Sequence, residues 1–173
     1  MYMKHDPLHS QIEFKVKHLM ISHVRGSFKE FDVTMETKDA TFNGAKVECE
    51  IDVSSIDTLI KDRDDHLRSP DFFHTEKYPK MTFRSMTVIS KGGDEYEMKG
   101  LLTIRDQRKP VTLKVIYNGS DLDQYGQRKF GFEIYGTINR KDWDLTFNVA
   151  GGNSTMLIGN DIKLEANIQM LLK

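Results

Sequence analysis

Cysteine occurs once in the 173 residues, as Cys49, so no internal disulfide can form and a cysteine-based zinc cage is excluded. Neither sign of charge dominates. Lys and Arg total 25 against 26 for Asp and Glu, a formal charge of -1. Nucleic acid and anionic membrane both need a concentrated basic surface, so neither is expected as the main partner. No apolar run approaches the roughly 20 residues of a transmembrane helix, and stable membrane insertion is not expected. The start, Met1-Tyr2-Met3-Lys4-His5-Asp6-Pro7, lacks the charged, apolar and small segments of a secretory signal, which points to the cytoplasm. Also missing are a GxSxG elbow, a GxxxxGK[ST] phosphate loop and a GxGxxG turn. The histidines are scattered, with His18 and His23 off any strand-ligand spacing, so no metal site is expected.

What is present is two-residue alternation, repeated until it settles the fold class. Ile12, Phe14 and Val16 share one parity against Glu13, Lys15 and Lys17; Phe31, Val33 and Met35 stand against Asp32, Thr34 and Glu36. Val47, Cys49, Ile51 and Val53 alternate with Glu48, Glu50 and Asp52, and Cys49 reads as a small buried hydrophobe rather than a nucleophile. Further strands are read at Met81–Arg84, Tyr96–Ile104, Val111–Val115, Phe130–Ile138 and Ile162–Met170, about eight in all. The connectors read as turns at Lys91–Asp94, Arg105–Pro110, Asn118–Gln127 and Gly151-Gly152-Asn153, mostly too short for a parallel crossover. An all-β, mainly antiparallel chain of one domain, residues 1–173, follows: a closed barrel or a sandwich. Alternation alone does not decide whether the crowded inward side is a filled core or a ligand cavity.

One stretch breaks the pattern. Ser54-Ser55 before Ile56, with Asp57 three residues after Ser54, reads as a capped helix start, and Pro70 closes a helix over about 55–68. At about 100° per residue Ile56, Ile60, Arg63 and Leu67 share a stripe with Leu59 at its edge, while His66 flanks it and Lys61, Asp65 and Arg68 point elsewhere. A guanidinium on an apolar face needs an acceptor. Asp62, Asp64 or strand-end carbonyls would make Arg63 a structural stitch; a polar headgroup would make Arg63 or His66 part of a cavity mouth. His18 continues the inward parity of Val16 and carries the same two readings.

The order and spacing of several segments adds a resemblance. His9-Ser10, His18-Leu19, Val24-Arg25-Gly26-Ser27-Phe28, Ser54-Ser55-Ile56-Asp57-Thr58, Arg63-Asp64-Asp65-His66-Leu67-Arg68-Ser69, Asp71-Phe72-Phe73, Tyr78-Pro79-Lys80-Met81-Thr82-Phe83, Gly100–Ile104, Ile138-Asn139-Arg140 and Gly159 together resemble the YceI-like proteins, a lipocalin-like group of isoprenoid-binding barrels. The resemblance implies an eight-stranded lipocalin-like barrel with one helical insertion. It would hold a polyprenyl or quinone-type chain, often as a homodimer, with no required cofactor and no established enzymatic activity. The expected lining is Phe14, Val16, Phe28, Phe83, Leu102, Leu113, Phe132 and Leu164 around the chain. His18, Arg63, His66, Leu67, Phe72 and Phe73 fall at the mouth, with Trp143 as a further selector of chain shape. An enzyme using His18, Arg63 and His66 on a hydrophobic substrate, or a filled barrel that binds protein, are the competing functions. Met20, Asp106 and Trp143-Asp144 depart from the residues common in that family.

Overall fold

The alternating segments become strands in the computed structural model, which describes residues 1–19, 21–148 and 158–173. In chain order they are β1 (Tyr2–His5), β2 (Gln11–His18), β3 (Ser22–Phe28), β4 (Phe31–Glu36), β5 (Lys46–Asp52) and β6 (Ile56–Asp57). After α1 (Lys61–Arg68) come β7 (Lys80–Gly92), β8 (Glu95–Ile104), β9 (Gln107–Leu122), β10 (Arg128–Asn139) and β11 (Ile158–Leu172). All pairings are antiparallel, in the order β1-β4-β5-β7-β8-β9-β10-β11, and β11 returns to β1. Those eight strands close the barrel.

β11 has a divided second edge. Its first part pairs with β2, from Ile158 opposite His18 to Asn167 opposite Gln11, and its last part pairs with β1, from Met170 opposite His5 to Leu172 opposite Met3. β1 and β2 thus behave as one wall strand broken at residues 6–10, just as β3 and β4 form its bent partner. The break is bridged to β11, where the Asp6 N–H donates to the Gln169 carbonyl at 2.8 Å and the Gln169 N–H donates to Ser10 Oγ at 3.1 Å. Among the described residues β3 pairs on its second edge only at Ser27 and Phe28, with β6, and α1 packs on β6 at that end. At the opposite end Phe42 is the plug. It is buried against the rings of Tyr96, Tyr117, Phe130 and Phe132, in a loop fixed by the Tyr96 hydroxyl donating to the Thr41 carbonyl.

Two expectations from the sequence change. The helix begins at Lys61, not near Ser55, because Ile56 and Asp57 pair with Phe28 and Ser27 and Ile56 is buried in the core. Ser54 and Ser55 lie in a 3₁₀ turn whose cap is Asp52, accepting from the Ser54 N–H at 3.2 Å. A chain reversal follows at Leu59, whose φ of 68° is rare for a leucine; it leaves Leu59 90% and Ile60 51% exposed rather than on a buried stripe. The second concerns the turns. Residues Gln107–Pro110 are ladder residues of β9 opposite Leu101–Ile104, so the turn is only Arg105-Asp106, with Arg105 rather than Asp106 left-handed. The Asn118–Gln127 turn likewise shortens to 123–127. Met20 and Gly151-Gly152-Asn153 lie outside the described residues. Asp144 does occupy the left-handed conformation, at φ 59°, that a short polar side chain tolerates.

The Asp6 carboxylate sits under the β1–β2 break. Burial alone would raise its pKa. Hydrogen bonds from Lys129, His9 and the Leu8 N–H, with the Lys129 charge, hold it down at about 2. A carboxylate with a folded value below its unfolded one stabilises above the unfolded pKa and loses that contribution as pH falls through the folded one. Stability should therefore drop from about pH 4 to about pH 2. Asp6→Asn should flatten that part of the pH profile; an unchanged profile of denaturation midpoints would remove this role.

Candidate functional site

The inward side chains of the barrel do not fill it. Three cavities of about 290, 160 and 60 Å³ follow one another down the lumen from the helix end to the Phe42 plug. The first and second share Phe14, Phe28, Met81, Ile138 and Leu164; the second and third share Val33, Val47, Met98, Ile134 and Ile168. On β11 the inward residues pass from Ile162 and Leu164 in the first to Ile168 and Met170 in the third. With roughly 3.3 Å per residue and a strand tilt of about 40°, that descent spans ~20 Å along the axis.

Glycines keep this lumen open. A Cβ on Gly26 would lie 2.3 Å from the Phe14 ring, and one on Gly100 2.5 Å from the Phe83 ring. Each ring therefore leans on the bare backbone of a neighbouring strand rather than crossing the barrel.

The mouth residues expected from the sequence come together. Val16, His18, Arg63, His66, Leu67, Phe72 and Phe73 line the first cavity with Phe14, Phe28 and Leu164, while Phe83, Leu102 and Leu113 line the second and Phe132 the third. Trp143 lines none of the three. It is buried in the 3₁₀ turn after β10, where its indole N–H donates to the Leu102 carbonyl at 2.9 Å, so it braces β8 instead of facing the lumen.

Arg63 finds its acceptor at a strand end. Its Nε donates to Thr58 Oγ1 at 2.8 Å and its second terminal nitrogen donates to the Thr58 carbonyl at 2.7 Å. Thr58 in turn donates its hydroxyl and its N–H to Asp64 Oδ1, at 2.5 and 2.9 Å. Asp64 is thus buried beneath the helix, and its contact with Arg63 runs through Thr58. Arg68 also stitches the helix down, to the Ser54 and Ile56 carbonyls at 2.9 and 3.1 Å, contrary to the outward position expected for it. His66 shares a 2.8 Å hydrogen bond through Nε2 with Asp71 and stands edge-on to Phe72 and Phe147.

Sequence reasoning passed over Arg140 as a functional residue. It is buried at the wall of the first cavity and donates to the carbonyls of Leu145, Phe147, Ile158 and Gly159. Desolvation pulls its pKa below the usual guanidinium range. The signal was available: Arg140 continues the inward parity of Phe132, Ile134 and Ile138. Cys49 stays in the wall of the second cavity, its thiol pushed up to about 12 by burial, with Asp32 and Glu50 adding to the rise. Among the described residues no three His, Cys, Asp or Glu side chains gather as metal ligands would.

A YceI-like domain model matches residues 3–170. The chain belongs to that family. A UPF0312 protein of Staphylococcus epidermidis is 41% identical over 165 residues, covering 95% of this chain and 94% of the relative. The YceI protein of Campylobacter jejuni has a crystal structure that superposes with a TM-score of 0.78 at 31% identity, covering 92% of this chain and 91% of that one. A polyisoprenoid binding domain from Saccharophagus degradans shares the fold at a TM-score of 0.72 and 15% identity, covering 99% and 98%. In this chain α1 contributes Arg63, His66 and Leu67 to the lining of the first cavity.

Removing the Asp64 carboxylate leaves the buried Thr58 donors without an acceptor, a loss of about 1–3 kcal/mol. Asp64→Ala should lower the unfolding free energy by that amount. Arg63→Met, which leaves the Asp64–Thr58 bonds in place, should lower it by less. Equal losses in urea titrations would mean that Arg63 anchors the helix as firmly as Asp64 does.

Proposed function

We propose that this YceI-like barrel binds a long-chain apolar lipid, a polyisoprenoid, an isoprenoid quinone or a similar amphiphile, and sequesters or carries it. The observation that carries the reading is the lumen: three successive apolar cavities, continuous in their lining residues, end at an aromatic plug. That shape suits a narrow chain rather than a compact solute. Burial contributes roughly 0.8 kcal/mol per CH2, so a chain reaching down the lumen gains enough to outweigh its ordering. Specificity then rests on chain length, limited by Phe42, and on the head at the helix end. The polyisoprenoid binding domain of Saccharophagus degradans, with the same fold, supports the reading.

The competing enzyme would use His18, Arg63 and His66. Arg63 is occupied with Thr58 and His66 with Asp71, an arrangement that positions side chains around a head more readily than it activates a nucleophile. No reaction is therefore part of the proposal.

Organic extraction of the purified protein followed by mass spectrometry should release a single-chain lipid. The extracted protein should take up polyprenols or quinones again. Protein that yields no lipid and binds neither refutes the reading; bound lipid that returns chemically altered after incubation would restore the enzyme.

A further inference from the structure

The polar side chains that line the first cavity are Lys17, His18, Arg63, His66 and Arg140. All are bases, and no Asp or Glu is among the lining residues. Among the described residues only His66 is matched by a carboxylate, Asp71. The Asp64 carboxylate reaches Arg63 only through Thr58, and Lys17 makes no ion pair among the described residues. Among the described residues the acceptors of Arg140 are four neutral carbonyls and no carboxylate. A buried guanidinium is costly without a countercharge.

Arg63 has spare donors on the same wall. Two of its five N–H groups go to Thr58, and its first terminal nitrogen has no acceptor among the described residues. Glu13 and Glu165, which border the second cavity, carry the outward parity of their strands, as the exposed Lys17 does at the first. The charge is therefore one-sided at the helix end, in surroundings otherwise lined by Phe, Leu, Ile, Val and Met, where a low dielectric strengthens each interaction.

We propose that the amphiphile bound here carries an anionic head, a carboxylate or a phosphate, held at the helix end by Arg63 with Arg140 behind it. This inference rests on the lipid-binding reading and narrows it: the lumen selects the chain and the guanidinium groups of Arg63 and Arg140 select the sign of the head. Planar donors of a guanidinium match carboxylate and phosphate oxygens, and hydrogen bonds to a charged group are the stronger ones.

Delipidated full-length protein would be titrated calorimetrically with a fatty acid and the fatty alcohol of equal length, and with a polyprenyl phosphate and its polyprenol. The anionic member of at least one pair should bind about tenfold or more tightly than its neutral partner. Whichever pair shows the difference identifies carboxylate or phosphate as the head. Raising the salt should narrow the gap in the unmodified protein, and Arg63→Met should narrow it while leaving the neutral member's affinity in place. Equal or tighter binding of the neutral members overturns the anionic head and leaves the lipid barrel standing. An Arg63→Met loss shared equally by both members also overturns it, since that is the mark of a structural role. Failure of all four ligands to bind overturns this inference; the lipid reading falls with it only when quinones also fail to bind and the purified protein yields no lipid.

Discussion

Closure through β11 is the constraint on which the rest of the structure depends. One strand must satisfy β10 along its length on one edge and two separate strands, β2 and β1, on the other. Closure of the eight-strand ring pairs both edges of its strands and leaves β3 outside it, and it fixes register, because a slip of one residue would turn every inward side chain outward. The break between β1 and β2 is where that continuity is weakest. Gln169, Ser10 and the Asp6–Lys129 pair hold it, so a cluster of polar residues at one barrel end secures the alternation that makes the lumen apolar.

The helix end solves a different problem. Ser22–Gly26 of β3 have no partner on their second edge among the described residues, and α1, only eight residues long, is too short to be stable in isolation. Hydrogen bonds do the fastening instead. Asp64 and Arg63 converge on Thr58 and Arg68 reaches back to residues 54 and 56, so the segment before the helix and the helix itself hold each other. The same arrangement leaves the first terminal nitrogen of Arg63 uncommitted at the cavity wall. A structural stitch and a head-group contact are thereby compatible in one side chain, because a guanidinium has five donors and Thr58 takes two.

Parity made most of this legible in the sequence. Phe14, Val16, Phe28, Phe83, Leu102, Leu113, Phe132 and Leu164 were readable as inward because strands have a period of two, and the structure places each at one of the three cavities. His18 and Arg140 obey the same rule, continuing the inward parity of β2 and β10. Ser54, Ser55 and Asp57 are the residues of a helix cap, and only the pairing of Ile56 with Phe28, made across 28 positions, turns that segment into strand. Nothing in Leu59 announces a left-handed φ. Trp143 was beyond parity altogether, since the strand ends at Asn139 and a 3₁₀ turn redirects the ring. Whether the lumen was full or hollow was not readable either, for volume depends on where side chains lean.

That leaning explains how the hollow is tolerated. At ~24 cal/mol per Å³ an unfilled space of about 290 Å³ in an ordinary core would correspond to about 7 kcal/mol, comparable with the whole stability of a typical domain. An ordinary core collapses around such a space. Here the wall is a closed ladder that cannot move inward without breaking hydrogen bonds on both edges of a strand, and its large inner residues already rest on glycines of adjacent strands: Phe14 on Gly26, Phe83 on Gly100, Leu113 on Gly136. Closure supplies the rigidity and the glycines supply the room. The apolar space is thus maintained by the same register that made the strands recognisable, and a bound chain would restore the contacts that the lumen lacks.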